Sequence, residues 1–367
     1  MPEYPFTPTI AGLPSSVPFV GPEALERQRG VRFSARLGAN ESVFGPSPKA
    51  IAAMRLAAAE SWQYGDPENH DLKQALAAHH GVSPEHIAVG EGIDALLGYT
   101  VRLFVEPGVT VATSFGAYPT FNFHVTGFGG RLVTAPYRND REDPAALIAL
   151  ANREAARLIY FANPDNPMGT WWDAASVQHL IDSVPDGSLL CLDEAYADFA
   201  PAGTTPPIDT GNPKLLRFRT FSKAHGMAGV RVGYAIGEAG LVKSFDRIRN
   251  HFGMSRLAQA GALASLGDAQ HLAFVCSQVR EARDRIGAIA RTHGFAALPS
   301  ATNFVAIDCG KDGAYAKSIL DGLIARGIFV RMPGVAPLNR CIRVSAGTAE
   351  DLDGFEAALK EAVGLGQ

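Results

Sequence analysis

Short apolar runs alternate along this chain with longer stretches whose apolar residues recur at helical spacing. VTVATS, RLVTAPY, ARLIYFAN and GSLLCLDEAY predict strands, and residues 119–126, 143–151 and 173–182 predict the helices between and around them. KLLRFRTFS and VRVGYAIG predict two further strands. Such alternation predicts an α/β fold with a mostly parallel central sheet flanked by helices. Upstream, residues 87–89 predict a strand, followed by a glycine turn and a helix from about residue 93. Ser47 suits an N-cap with Pro48 at the first helical position, and 69–80 predicts a helix closed by Gly81. A long helical region, 240–293, is expected to break near Gly267. Strands at 303–308, 328–331 and 341–345 follow, with helices at 314–326 and 349–363, and this change of order predicts a smaller C-terminal α/β domain. The chain then divides into an arm, 1–30, with a short helix at 21–28; a large domain, 49–264; and a small domain built from 31–48 and 265–367.

Ligands of such sheets collect at loops beyond the carboxyl ends of the strands. Residues 87–92, 163–169, 193–196 and 220–223 fall at such ends. The glycine turn before residue 93 suits an anion, because free N–H groups and the helix dipole face it. Neither a GxGxxG nor a Walker A pattern is present, which argues against dinucleotide and nucleoside-triphosphate binding. In RFRTFSKAHGMAGVRVGYAIG, Lys223 follows Thr220 and Ser222 and precedes Arg231. A lysine in that company can be a carbonyl-reactive amine beside a phosphate cradle. Taken alone, it is better read as a surface lysine in a flexible loop. FANPDNPMGT fixes a turn in which Asn166 can point its amide at a ligand, or it is an ordinary Asn/Pro turn. CLDEAYADF sets Asp193 at a strand end with Tyr196 close behind, where a carboxylate can keep a pyridine nitrogen protonated or simply cap a helix. The order of the motifs carries the argument: glycine turn, Asn-Pro turn, Asp–Tyr pair, then Ser-Lys with a trailing arginine. Pyridoxal phosphate needs such a set.

Composition narrows the partners. A chain of 367 residues suits roughly two domains. A net charge of −4 offers no basic field for nucleic acid or an anionic membrane. No apolar run is long enough to span a bilayer, and the start lacks the pattern of a secretory signal. Cys191, Cys276, Cys309 and Cys341 form no CxxC pair and read as reduced thiols of a cytoplasmic protein; the histidines lack ligand spacing, so no metal site is expected.

NPDNPMGT, LDEAYADF and TFSKAHGMAGVRVGY, in that order, resemble the fold-type I pyridoxal-phosphate-dependent aminotransferases of class I/II, and most of all their histidinol-phosphate aminotransferase group. The resemblance runs from LGANESVFGPSP to IRVSAGT. It implies that Lys223 forms the Schiff base with pyridoxal 5′-phosphate and later shuttles the substrate's α-proton. It implies that Asp193 pairs with the ring nitrogen, and that Asn166 and Tyr196 bond the ring oxygen. Gly92, Ile93 and Asp94, with Ser222, Arg231 and Thr220, would hold the coenzyme's phosphate. Phe121, or else Tyr118, would stack on the ring. Tyr64 matches a tyrosine that reaches the coenzyme of a partner subunit, which implies a homodimer with shared active sites. Arg343, assisted by Arg331, would hold the substrate's anionic group, with Asn40 and Phe19 also on the substrate side.

The implied reaction moves an amino group from histidinol phosphate or an aromatic amino acid to a 2-oxo acid such as 2-oxoglutarate, by a ping-pong route. The sequence departs from the family at three places. Phe19 stands where histidinol-phosphate enzymes usually carry a tyrosine, which favours an apolar or aromatic donor. His225 replaces a usual phenylalanine and reads as a packed histidine. Asn250, His251 and Ser255 replace a family segment and are expected to reshape the pocket. A decarboxylase or lyase of the same fold is the alternative. A non-catalytic binding domain is expected to lose Lys223 or Asp193, and both are present.

Overall fold

In a computed structural model that describes residues 4–15 and 20–364, the apolar runs form strands. In chain order these are β1 (Ala35–Arg36), β2 (Ile87–Gly90), β3 (Thr110–Ser114), β4 (Arg131–Ala135), β5 (Leu158–Ala162), β6 (Leu189–Asp193), β7 (Leu215–Thr220), β8 (Gly233–Gly237), β9 (Ala296–Ala297), β10 (Phe304–Asp308), β11 (Ile328–Phe329) and β12 (Cys341–Ser345). A seven-stranded sheet has the order β2-β8-β7-β6-β5-β3-β4. Its neighbours run parallel except at β8, which is antiparallel to both β7 and β2. β5 and β6 are buried at every position, so LIYFA and LLCLD show no polar–apolar alternation. Successive side chains enter opposite cores. Tyr160, Cys191 and Phe218 meet Leu97, Val101 and Phe121 on one face. Ile159, Phe161 and Leu190 meet Leu147, Val177 and Leu180 on the other.

A second core lies under the antiparallel sheet β12-β10-β9 and the parallel pair β1-β11. Phe304, Ile342 and Val344 pack there against Val279 and Ile286 of the helix Ala269–Thr292, Ile319 and Leu323 of Gly313–Ala325, and Phe355 and Leu359 of Ala349–Gly364. The early segment joins it: Leu37 N–H donates to the Phe329 carbonyl at 2.7 Å, and Ser345 N–H to the Leu37 carbonyl at 2.7 Å. No helix of the described residues is long and apolar enough to cross a membrane.

Two expectations change in detail. The helical region expected over 240–293 breaks at 248–255 as well as at Gly267: helix Ala239–Lys243 passes into the 3-10 turn Ser244–Arg247, and helix resumes at Arg256–Leu266. The reason is local. Asn250 N–H is held by the Tyr99 hydroxyl at 3.1 Å, and Gly253 lies so close to Glu91 that a Cβ there would strike its carboxylate. The strand expected at 328–331 stops at Phe329, because beyond it only Arg331 bridges to Arg343. Helix Pro8–Ala11 and the two-residue strands β1 and β9 have no periodicity long enough to announce them.

The end of β6 is braced by a buried ion pair. Arg217 of β7 donates to Glu194 through Nη2 at 2.6 Å and Nε at 3.1 Å, and its remaining donors reach the carbonyls of Pro206 at 3.0 Å and Pro207 at 2.9 Å. Arg219 adds a third bond to Glu194 at 3.1 Å. Removing one partner strands a buried charge, a loss of about 3–5 kcal/mol. Glu194→Ala is therefore expected to lower the melting temperature by several degrees, and an unchanged thermal melt would contradict the brace.

Candidate active site

The carboxyl ends of β2, β5, β6 and β7 open into one cavity of about 510 Å³. Asp193, the last residue of β6, forms its floor. Tyr160 donates its hydroxyl to Asp193 Oδ2 at 2.7 Å, and Ala195 N–H donates to Oδ1 at 2.9 Å. Burial pushes this carboxyl up; the two hydrogen bonds and Lys223 pull it back.

Lys223 lies just past β7, in a loop started when Ser222 N–H bonds the Thr220 hydroxyl at 3.0 Å. Gly226 closes the loop with φ +67°, pressed so near Gly45 that a Cβ would overlap the Gly45 carbonyl. Lys223 Nζ donates to the Asn40 carbonyl at 3.1 Å and stands 5.6 Å from the centre of the Tyr196 ring. Burial, reinforced by Arg343 and Arg231, pushes the amine down to about 8. The Tyr196 hydroxyl accepts from Asn40 Nδ2 at 3.1 Å and Asn166 Nδ2 at 3.4 Å. Asn40 is itself held in a left-handed conformation, φ 55°, by the Ser345 hydroxyl and by Asn303 Nδ2, at 3.1 and 3.0 Å.

One end of the cavity is an anion cradle. The helix Gly92–Phe104 begins at the end of β2, so the N–H groups of Gly92, Ile93 and Asp94 have no helical partner. Arg231 folds over them, with Nη1 3.4 Å from the Ser222 hydroxyl and Nη2 3.4 Å from the Glu91 carbonyl. Gly92 takes φ +85°, and a Cβ on it would overlap the Arg231 guanidinium. Thr220 and Ser222 line the same end, and His124 holds Asp94 through Nε2 at 2.9 Å. Two more guanidiniums enter the cavity from β12 and its neighbour. Arg343 donates to Asn166 Oδ1 at 2.6 Å, and burial lowers it to about 10. Arg331 donates to the Val20 carbonyl at 2.8 Å.

Most of the residues named from sequence thus meet in one place. Phe121 does not face the cavity. It points into the core of the large sheet and stacks on Tyr160 with centroids 4.6 Å apart, while Tyr118, just before the helix, lines the wall. Tyr64 is 75% exposed, lies on Phe252 and does not line the cavity of its own chain. His225 is packed as expected, with Nδ1 2.9 Å from the Ser265 hydroxyl. Asn250, His251 and Ser255 are not in the cavity wall; Ser255 caps a helix instead. Phe19 lies outside the described residues. Tyr160, His124, Asn303 and Ser345 were not singled out from sequence. Tyr160 and Ser345 sit in apolar strand patterns that carry no local signal of what they touch.

The family model for aminotransferase class I and II matches residues 35–359. The chain is 35% identical to the histidinol-phosphate aminotransferase of an Anaeromyxobacter species over 364 residues, 97% of this chain and 98% of that one. It is 34% identical to histidinol-phosphate aminotransferase 1 of Mesorhizobium japonicum over 345 residues, 92% and 93% of the two chains. A crystal structure of histidinol-phosphate aminotransferase from Sinorhizobium meliloti in complex with pyridoxal-5′-phosphate matches with TM-score 0.96 and 55% identity, covering 100% of this chain and 99% of that one. Fold and site together define a fold-type I pyridoxal-phosphate enzyme. The chain belongs to the class I and II aminotransferase family.

The donor set fits that coenzyme. Hydroxyls, a guanidinium and a helix N-terminus suit a phosphate monoester, and a buried carboxylate and an amine depressed to about 8 lie beyond them. Because the neutral amine is the nucleophile, coenzyme uptake by the stripped protein, followed by absorbance, is expected to quicken as pH rises to a half-point near about 8. A half-point above about 10, the ordinary lysine range, would contradict this environment.

Proposed function

We propose that this aminotransferase takes its amino group from histidinol phosphate and passes it to 2-oxoglutarate, as a homodimer with shared active sites. The observation that carries the donor is the presence of both Arg331 and Arg343 in the cavity. A phosphate monoester carries nearly two negative charges and three strong acceptor oxygens. Two guanidiniums match it, whereas a lone carboxylate needs only one. 2-Oxoglutarate, with two carboxylates, suits the same pair. The relatives above, all histidinol-phosphate aminotransferases, agree with this donor. An aromatic amino acid is the second reading, favoured by the rings of Tyr118 and Phe123 in the wall.

When bound, pyridoxal phosphate supplies an electrophilic aldehyde and a ring that withdraws electrons from the substrate's α-carbon. In this reading the phosphate is held by Arg231, Ser222, Thr220 and the N–H groups of residues 92–94. Asp193, oriented by Tyr160, holds the ring nitrogen's proton; Tyr196 and Asn166 bond the ring oxygen, and Tyr118 flanks the ring in place of Phe121. The amine of Lys223, half-neutral at about pH 8, takes the proton from the α-carbon as base and would deliver it, as acid, to the carbon that carried the coenzyme's aldehyde. Arg343 and Arg331 orient the anionic end, with Asn40 beside them. Tyr64 belongs to the partner's site. Its exposure, with that of Leu56, Trp62 and Phe252, supports a covered interface there. The separate core around Phe304 supports a small domain made of 31–48 and 265–367, beside a large coenzyme-binding domain, 49–264, and an arm, 1–30. Four free cysteines support a cytoplasmic location.

Steady-state kinetics with histidinol phosphate and phenylalanine test the donor. A higher kcat/KM for histidinol phosphate is expected; a preference for phenylalanine would overturn it in favour of the aromatic reading. Arg331→Lys is expected to raise KM for histidinol phosphate roughly tenfold with a smaller change in kcat, since a lysine offers no planar fork. Lys223→Ala is expected to abolish transamination, and ordinary turnover by that variant would refute the role of its amine.

A further inference from the structure

The turn that carries Asn166 into the cavity is anchored on its other side by a residue the reaction does not use. Asp165 is 2% exposed, and its neighbour Glu142, from the segment between β4 and the helix Pro144–Arg153, is 1% exposed. Glu142 accepts the Ala162 N–H through Oε1 at 3.1 Å and the Ser114 hydroxyl through Oε2 at 2.6 Å. Asp165 accepts the Tyr137 hydroxyl through Oδ1 at 2.8 Å and the Met168 N–H through Oδ2 at 3.1 Å. The two carboxyls also lie near enough for each to act on the other's proton. Two ionised carboxylates are acceptors only, so a hydrogen bond between them requires a proton.

The surroundings do not supply a neutralising partner in contact. Among the described residues no lysine or arginine forms an ion pair with either carboxyl. The titratable and charged groups facing them are Tyr137 from beyond β4, Tyr160 from β5 and Arg343 from β12. Nearby Arg340 is engaged by Asp140 and Asp308, and Arg141 lies over the Trp172 ring. Burial drives both carboxyls upward, Glu142 further so by the charge of Asp165, against the pull of the donors.

Asp165 also ties the turn through its backbone. Its N–H donates to the Thr170 carbonyl at 2.8 Å, and its carbonyl accepts from Gly169 N–H at 3.1 Å. Moving its carboxyl therefore moves Asn166, the residue that accepts from Arg343 and reaches Tyr196.

We propose that Glu142 and Asp165 hold one proton between them and act as a positioning pair. With the proton in place, the turn keeps Asn166 against Arg343. Without it, two like charges repel in a dry site, Asn166 shifts, and the grip of Arg343 on the substrate's anionic group loosens. The proposal rests on the reading of Arg343 as the anion anchor.

The test uses the holoenzyme and its Glu142→Gln, Glu142→Ala and Arg343→Ala variants, with KM and kcat for 2-oxoglutarate measured across roughly pH 6 to 9, where buried carboxyls of this kind titrate. The amide introduced by Glu142→Gln is a permanent donor to Asp165, so this variant is expected to turn over like the parent at neutral pH. It is also expected to lose a several-fold rise of KM that the parent shows on the alkaline side. Glu142→Ala is expected to have a raised KM throughout, with kcat less affected. Infrared difference spectra of parent against Glu142→Gln should show a protonated-carboxyl band that titrates over the same range. Parallel pH profiles for parent and Glu142→Gln, with no such band, would overturn the proposal while leaving the anchor intact, provided Arg343→Ala raises KM. An unchanged KM in Arg343→Ala would overturn the anchor reading, and the proposal with it.

Discussion

A carboxylate at the inner end of a strand, away from water, is unstable unless donors and cations meet it. Asp193 is in that position, and the cavity is arranged around meeting its needs. The parallel register of β5 with β6 pairs Ala162 with Asp193, which leaves Tyr160 placed to donate upward from the adjoining strand. The turn after β6 contributes the Ala195 N–H, and the loop after β7 contributes Lys223. The Ala195 contact is local to its turn, but neither Tyr160 nor Lys223 is near Asp193 in a way that helix or turn geometry alone would bring about. They meet because three parallel strands end at one level, and β8 runs back so that Arg231 returns to the same level.

Cations then govern the rest. Lys223, Arg231 and Arg343 share one small, mostly buried space, and the two guanidiniums depress the lysine's proton affinity beyond what burial does. That crowding makes the lysine a usable base near neutral pH. It also leaves the two ends of the cavity positive and its floor negative, an arrangement suited to a ligand with an anion at either end and a basic ring nitrogen between.

Much of this was legible in the sequence. The buried strands announce themselves as unbroken apolar runs, and the Asn-Pro turn, the Asp–Tyr pair and the lysine loop each end one, so their convergence followed from the parallel fold. What stayed hidden depended on register or on rotation about a helix. Tyr118 and Phe121 lie on either side of the start of one helix, and only the phase of that helix decides which ring enters the wall and which stacks on Tyr160. Asn303 and Ser345 reach Asn40 across hundreds of residues of chain, a proximity no local pattern encodes. The break at 248–255 follows from the contact of Gly253 with Glu91, again a matter of tertiary packing.

Gly226 and Gly45 touch backbone to backbone, with no side chain between them. Contacts between flexible side chains can slip and re-form, but two main chains at this separation have almost no play. The lysine loop, which grows from the large sheet, and the segment from Leu37 to Gly45, which is sewn to the other core, consequently have no room to approach further there. A side chain at Gly226 would force the two segments apart, and with them the amine and the asparagine carbonyl that greets it.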